Sequence, residues 1–85
     1  MKDTLLFIIQ SIVDVPEDVS VTEESGADNS VLLKISANPN DCGKIIGKSG
    51  RIIRAIRDLI KLMAAKRGVY ADVELAETQP KQSDQ

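Results

Sequence analysis

At 85 residues the chain has room for one domain, and a chain this short buries only about 60–65% of the surface it exposes when unfolded. It contains no histidine and one cysteine, Cys42, which excludes a zinc site, a histidine general base and an internal disulfide; its carboxylates show no evident pairing, so no catalytic residue, metal or cofactor is expected. The formal charge is −2 and the pI about 5.0, a balance that argues against an indiscriminate polyanion binder.

Leu5, Ile8, Ile9, Ile12 and Val13 recur at helical spacing, with Asp3 or Thr4 as a cap and Pro16 ending the pattern. Phe7 falls opposite that stripe, at the rim of the core or against a partner. After Pro16-Glu17-Asp18, Val19 and Val21 alternate with polar neighbours, Ser25 to Ser30 form a turn cluster, and Val31, Leu33, Ile35 and Ala37 alternate again. This predicts an antiparallel hairpin with one buried face and Leu32 pointing away from it.

Asn38 or Asn40 can cap a short helix with Pro39 in its first turn. That helix leads to Gly47, a long helix runs from Gly50 to about Arg67, and Gly68 stops it. Val69, Ala71, Val73 and Leu75 then alternate as a third strand, and the polar run 77–85 has no pattern and is expected to be disordered. The expected domain is therefore residues 1–76. No run of eighteen apolar residues is present, so no membrane span is expected. Met1-Lys2-Asp3 does not resemble a secretory signal, and the lone cysteine suits a reducing cytoplasm. Cys42 reads as a small buried filler, with a redox switch as the alternative.

The stretch that carries chemistry is Gly47-Lys48-Ser49-Gly50. Two glycines three apart cost about 1 kcal/mol each inside a helix, so they mark a hinge between two helices. The second helix would present free N–H groups and the positive end of its dipole to an anion. Glycines there allow close approach by a sugar–phosphate backbone, and Lys48 adds a mobile cation. The segment Gly43 to Ser49 also looks like a nucleotide-binding P-loop. It is one residue short between its glycines, it follows Asn38-Pro39-Asn40-Asp41 instead of a strand, and no later strand offers a magnesium-binding aspartate.

Charge is segregated along the chain. Residues 44–67 hold eight basic residues against Asp58 alone, 8 − 1 = +7, and the remainder holds three against twelve acids, 3 − 12 = −9. Such a basic block on an acidic body is the footprint of a nucleic-acid site. On the long helix Arg51, Arg54, Arg57 and Lys61 fall within about 120°. Apolar residues fill an arc nearer 200°, wider than the roughly 100° that covers one sheet. Ile52, Ile56, Leu59 and Met63 are expected at its centre, Leu62 at one margin, and Ile53 and Ile60 at the other. Exposed margins would make an interface.

Asp41-Cys42-Gly43-Lys44-Ile45-Ile46-Gly47-Lys48-Ser49-Gly50-Arg51-Ile52-Ile53-Arg54-Ala55-Ile56-Arg57 resembles the heart of a KH domain, whose G-x-x-G loop clamps about four nucleotides of backbone. The match from Thr4 to Leu75 is similar to the small bacterial single-domain KhpA family. The order helix–strand–strand–helix–helix–strand is that of a type II KH domain, an α+β fold with helices on one face of a three-stranded mixed sheet.

The resemblance implies a non-catalytic, cytoplasmic protein that binds single-stranded RNA and acts as an RNA chaperone or post-transcriptional regulator. It also implies a homodimer, a partner in the larger protein KhpB, and links to cell elongation and cell-wall synthesis. The expected RNA-binding residues are Gly47, Lys48, Ser49, Gly50, Lys44, Ile45, Ile46, Arg51 and Arg54. Phosphates would meet the amides of Ser49 to Arg51, and bases would rest on Ile45 or Ile46. The expected dimer interface is Phe7, Ile53, Ile60, Leu62 and Met63. Aromatic stacking is expected to add little, because Phe7 and Tyr70 lie far from the loop in sequence. The alternative is a protein-interaction module whose clamp is vestigial.

Overall fold

The sheet is built around its middle strand, β2 (Ser30–Ser36), which pairs antiparallel with β1 (Ser20–Ser25) and parallel with β3 (Tyr70–Leu75). The computed structural model describes residues 1–76; the expectation for residues 77–85 lies outside them. α1 (Lys2–Ile12) precedes the hairpin, and α2 (Cys42–Ile46) and α3 (Arg51–Lys66) connect β2 to β3. The fold is therefore α+β, with a three-stranded mixed sheet. A parallel neighbour requires a long crossover, and the two helices supply it.

The hairpin turns at Asp28 and Asn29, both with positive φ (58° and 60°). The Ser30 amide donates to the Ala27 carbonyl at 3.1 Å. Consecutive left-handed residues match the twist of the flanking strands, and Asp and Asn tolerate that conformation better than other side chains. The turn fixes the register, pairing Val21 with Ile35 and Glu23 with Leu33. Val21, Leu33, Ile35, Ala71 and Val73 are buried and meet Leu5 and Ile9 of α1, Ile45 of α2, and α3.

At its C-terminal end α3 closes as expected at Gly68 (φ 74°). The Gly68 amide donates to the Ala65 carbonyl and the Val69 amide to the Ala64 carbonyl, which satisfies the last carbonyls of the helix. This reversal delivers the chain straight into β3.

The sheet-facing side of α3 differs from the expected one. Ile60, expected at an exposed margin and in the dimer interface, is completely buried, in a row with Ile56 and Ala64. Leu59, expected at the centre of the core face, is 52% exposed, and Leu62 is 66% exposed. The residues 56, 60 and 64 form a single i,i+4 row spanning about 80°, and the small Ala64 lets the end of the helix lie close to the sheet. An arc of 200° gives no sequence signal for which row is chosen. Ile53 and Met63 are half-buried beside the core. Phe7 is 71% exposed on a different helix, α1.

Candidate nucleic-acid interface

α2 ends where Gly47 takes φ 76°, ψ 173°, a backbone conformation reserved for glycine. A β-carbon there would also lie 2.5 Å from Cγ1 of Ile52, so the approach of α3 to the loop depends on its absence. Ser49 (φ 57°) and Gly50 (φ 71°) follow in the left-handed region, and the chain then enters α3. Gly50 faces open space and is required only by its dihedral angle.

The loop satisfies part of its own hydrogen bonding. The Gly50 amide donates to the Gly47 carbonyl at 3.1 Å, and the Arg51 amide donates to the Lys48 carbonyl. This corrects the expectation that the amides of Ser49 to Arg51 all face an anion, because a tight turn of the 3₁₀ kind consumes two of the three. The structure gives the Lys48 and Ser49 amides no protein acceptor among the described residues. Both side chains are exposed. The open amides thus lie one residue N-terminal of where helix geometry alone places them, beside the exposed Lys48 side chain.

Around this turn the expected residues separate into two groups. Lys48, Ser49, Arg51 and Arg54 are exposed, and Ile46 is 37% exposed beside them. Ile45 is fully buried in the core and offers no surface to a base. Lys44 pairs with Asp14 at 3.5 Å; both side chains are well exposed, so the pair holds Lys44 only weakly.

Arg57 leaves the basic stripe. Its Nε and Nη2 donate to the two carboxylate oxygens of Asp72 on β3, at 3.1 and 3.3 Å. Partial burial alone would raise the Asp72 carboxyl. The Arg57 hydrogen bonds, the Val73 amide at 2.8 Å and the charges of Arg57 and Lys61 outweigh it, and the net result lies below the ordinary aspartate value. Of the stripe, Arg51, Arg54 and Lys61 remain exposed to solvent.

One residue that positions the loop had no assigned role in the sequence. Asp41 is 1% exposed, and its two oxygens accept the Asp14 and Val15 amides at 3.1 and 3.0 Å. It ties the segment after α1 to the start of α2, and so fixes the short helix that ends at Gly47. Asn38 caps the 3₁₀ turn Pro39–Asp41 that precedes α2, its Oδ1 accepting the Asn40 amide at 2.9 Å, and α2 itself carries no side-chain cap. Nothing local separates Asp41 from the polar residues around it; its partners are 26 and 27 residues away. No helix of the described residues is long and apolar enough to cross a membrane.

The family model of the KhpA/KhpB KH domain matches residues 2–75. The RNA-binding protein KhpA of Clostridium perfringens is 44% identical over 75 residues, which cover 88% of this chain and 99% of that protein. KhpA of Chlamydia caviae is 40% identical, covering 91% and 97%, and KhpA of Listeria monocytogenes is 39% identical, covering 91% and 100%. Among solved structures the fold is similar to Aquifex aeolicus Era bound to GDP.AlF4-, with a TM-score of 0.58 and 20% identity. It is also similar to Era in complex with MgGDPNP and nucleotides 1506–1542 of 16S ribosomal RNA, with a TM-score of 0.54 and 22% identity. Each match covers 91% of this chain, which spans about a third of the Era chains, 31% and 30%. At that identity the likeness is one of fold.

Proposed function

Because the chain belongs to the KhpA/KhpB KH-domain family, we propose that it is a non-catalytic protein that binds single-stranded RNA through the turn at Gly47–Gly50. A phosphate sits against the Lys48 and Ser49 amides with the Lys48 ammonium beside it. Arg51 and Arg54 hold the neighbouring phosphates, and a base rests on Ile46. The observation that carries this reading is the turn itself: exposed, cationic, with two amides that no protein group occupies among the described residues.

The protein acts as a dimer. Leu59 and Leu62 present an apolar strip on α3, and Met63 extends it toward the core. The occupant is a second copy or KhpB, and pairing places two clamps on one particle, which adds avidity without new RNA contacts. By the family resemblance the protein serves in the cytoplasm as an RNA chaperone or post-transcriptional regulator, tied to cell elongation and cell-wall homeostasis. A protein-interaction module with a vestigial clamp is the second reading, favoured by the same apolar strip.

Replacing Lys48 and Ser49 together with aspartate tests the two. Loss of RNA binding with an intact dimer is the expected outcome. RNA retention equal to that of the parent chain removes the clamp and leaves the second reading.

A further inference from the structure

A surface groove lies away from the turn, where the C-terminal end of α3 passes β3. It encloses about 590 Å³ and is lined by Lys61, Ala65 and the segment Gly68 to Asp72, a size in the range of sites that receive a planar ring. Tyr70 stands in it with 74% of its surface exposed. An aromatic ring so exposed at the start of a strand contributes little to the core. Its backbone, however, is firmly held. Its amide donates to the Asn29 carbonyl at 3.0 Å, it pairs in register with Ser30, and the Gly68 reversal fixes the chain just before it.

The groove is continuous with the clamp by charge. Arg54 and Lys61 lie within about 20° of each other around α3, and both are exposed. Lys61 is about 16 Å beyond Gly50 along the helix axis. The one acid in the groove, Asp72, is engaged by Arg57 and so offers little repulsion to a phosphate. A strand leaving the turn therefore meets cations along α3 and an aromatic face at the end. A base on such a face gains free energy whatever its identity.

We propose that this groove takes a nucleobase, stacked on Tyr70, from the same RNA strand whose backbone the Gly47–Gly50 turn holds. The proposal rests on the RNA-binding reading above and gives it a length: the base belongs to a nucleotide beyond the about four that a KH clamp grips. It also replaces the expectation that aromatic stacking adds little, since sequence distance from the turn is not distance along the path of the strand.

The chain holds one tyrosine and no tryptophan, so its intrinsic emission reports on Tyr70 alone. Four- and eight-nucleotide oligouridylates are titrated against the full chain. The octamer is expected to quench the emission and to bind about fivefold tighter or more than the tetramer, which does neither. Tyr70→Ala is expected to reduce the octamer to the tetramer's affinity, and Tyr70→Phe to restore the gain. Because quenching is read on the unaltered chain, it does not depend on whether Tyr70→Ala folds.

Three results overturn the proposal. If the octamer binds without quenching and its advantage survives Tyr70→Ala, the groove is not a base site, while a tetramer still lost on replacing Lys48 and Ser49 with aspartate leaves the clamp standing. If Tyr70→Ala changes self-association and leaves both oligonucleotides unaffected, the groove is a protein contact. If the unaltered chain retains neither oligonucleotide, the RNA-binding reading fails and this site fails with it.

Discussion

Ile52 closes over Gly47: a β-carbon added to the glycine would stand 2.5 Å from Cγ1 and 2.8 Å from Cβ and Cδ1 of the isoleucine. The first residues of α3 thus lock the turn that precedes them, and the two glycines of the motif differ in what they do. Gly47 answers both to a dihedral angle and to a neighbour, whereas Gly50 answers to a dihedral angle only.

Gly47→Ala is accordingly expected to cost about 3 kcal/mol or more, from the glycine-only backbone and the clash together. Gly50→Ala is expected to cost about 1 kcal/mol. Urea unfolding of the two variants measures the difference. Equal losses would mean that Ile52 yields freely and does not lock the turn.

The Arg57–Asp72 pair gives a pH dependence with a definite sign. The Asp72 carboxyl titrates lower in the folded chain than in the unfolded one, so its ionised form favours the fold. The stabilisation is complete above the ordinary aspartate value of about 3.9 and disappears as the pH falls through the lower folded value. Both side chains are nearly half exposed, 43% and 48%, which limits the contribution to about 1 kcal/mol or less. The stability difference between the parent chain and Asp72→Asn, followed against pH, should be constant near neutrality and shrink toward zero in acid. A difference that grows in acid would contradict the pairing.

The buried and exposed faces of α3 allow stability and the proposed assembly to be tested apart. Ile60→Ala empties a fully buried position and is expected to destabilise the chain by about 2–5 kcal/mol. Leu62→Glu alters a side chain that is 66% exposed; it is expected to leave the monomer's stability within about 0.5 kcal/mol and to shift sedimentation from dimer to monomer. A Leu62→Glu chain that still sediments as a dimer would move the interface elsewhere.

Most of the fold was legible because its elements repeat with clean periods. Val19 and Val21, then Leu33, Ile35 and Ala37, alternate with polar residues, and all five are buried. Gly68 ends α3 where a helix needs a left-handed residue. The turn at Gly47–Gly50 was legible for the same local reason, since its glycines carry their dihedral angles with them. What stayed hidden depends on partners distant in sequence. Arg57 reads as one more cation until Asp72 arrives fifteen residues later. Asp41 reads as a loop residue until two amides from the segment after α1 close on it. The exchange of Ile60 for Leu59 has another cause: where apolar residues cover more than half a helix, periodicity does not say which row the sheet selects.

The parallel seat of β3 beside β2 bears on how the molecule comes into being on the ribosome. The β1–β2 hairpin joins neighbours in the chain and can close while synthesis continues, but β2 pairs Ser30 with Tyr70 and Ile35 with Leu75. Until that last segment emerges, one edge of the hairpin stands bare and the row of Ile56, Ile60 and Ala64 has no complete bed to lie in. The nascent chain therefore keeps an adhesive edge until β3 has emerged to cover it.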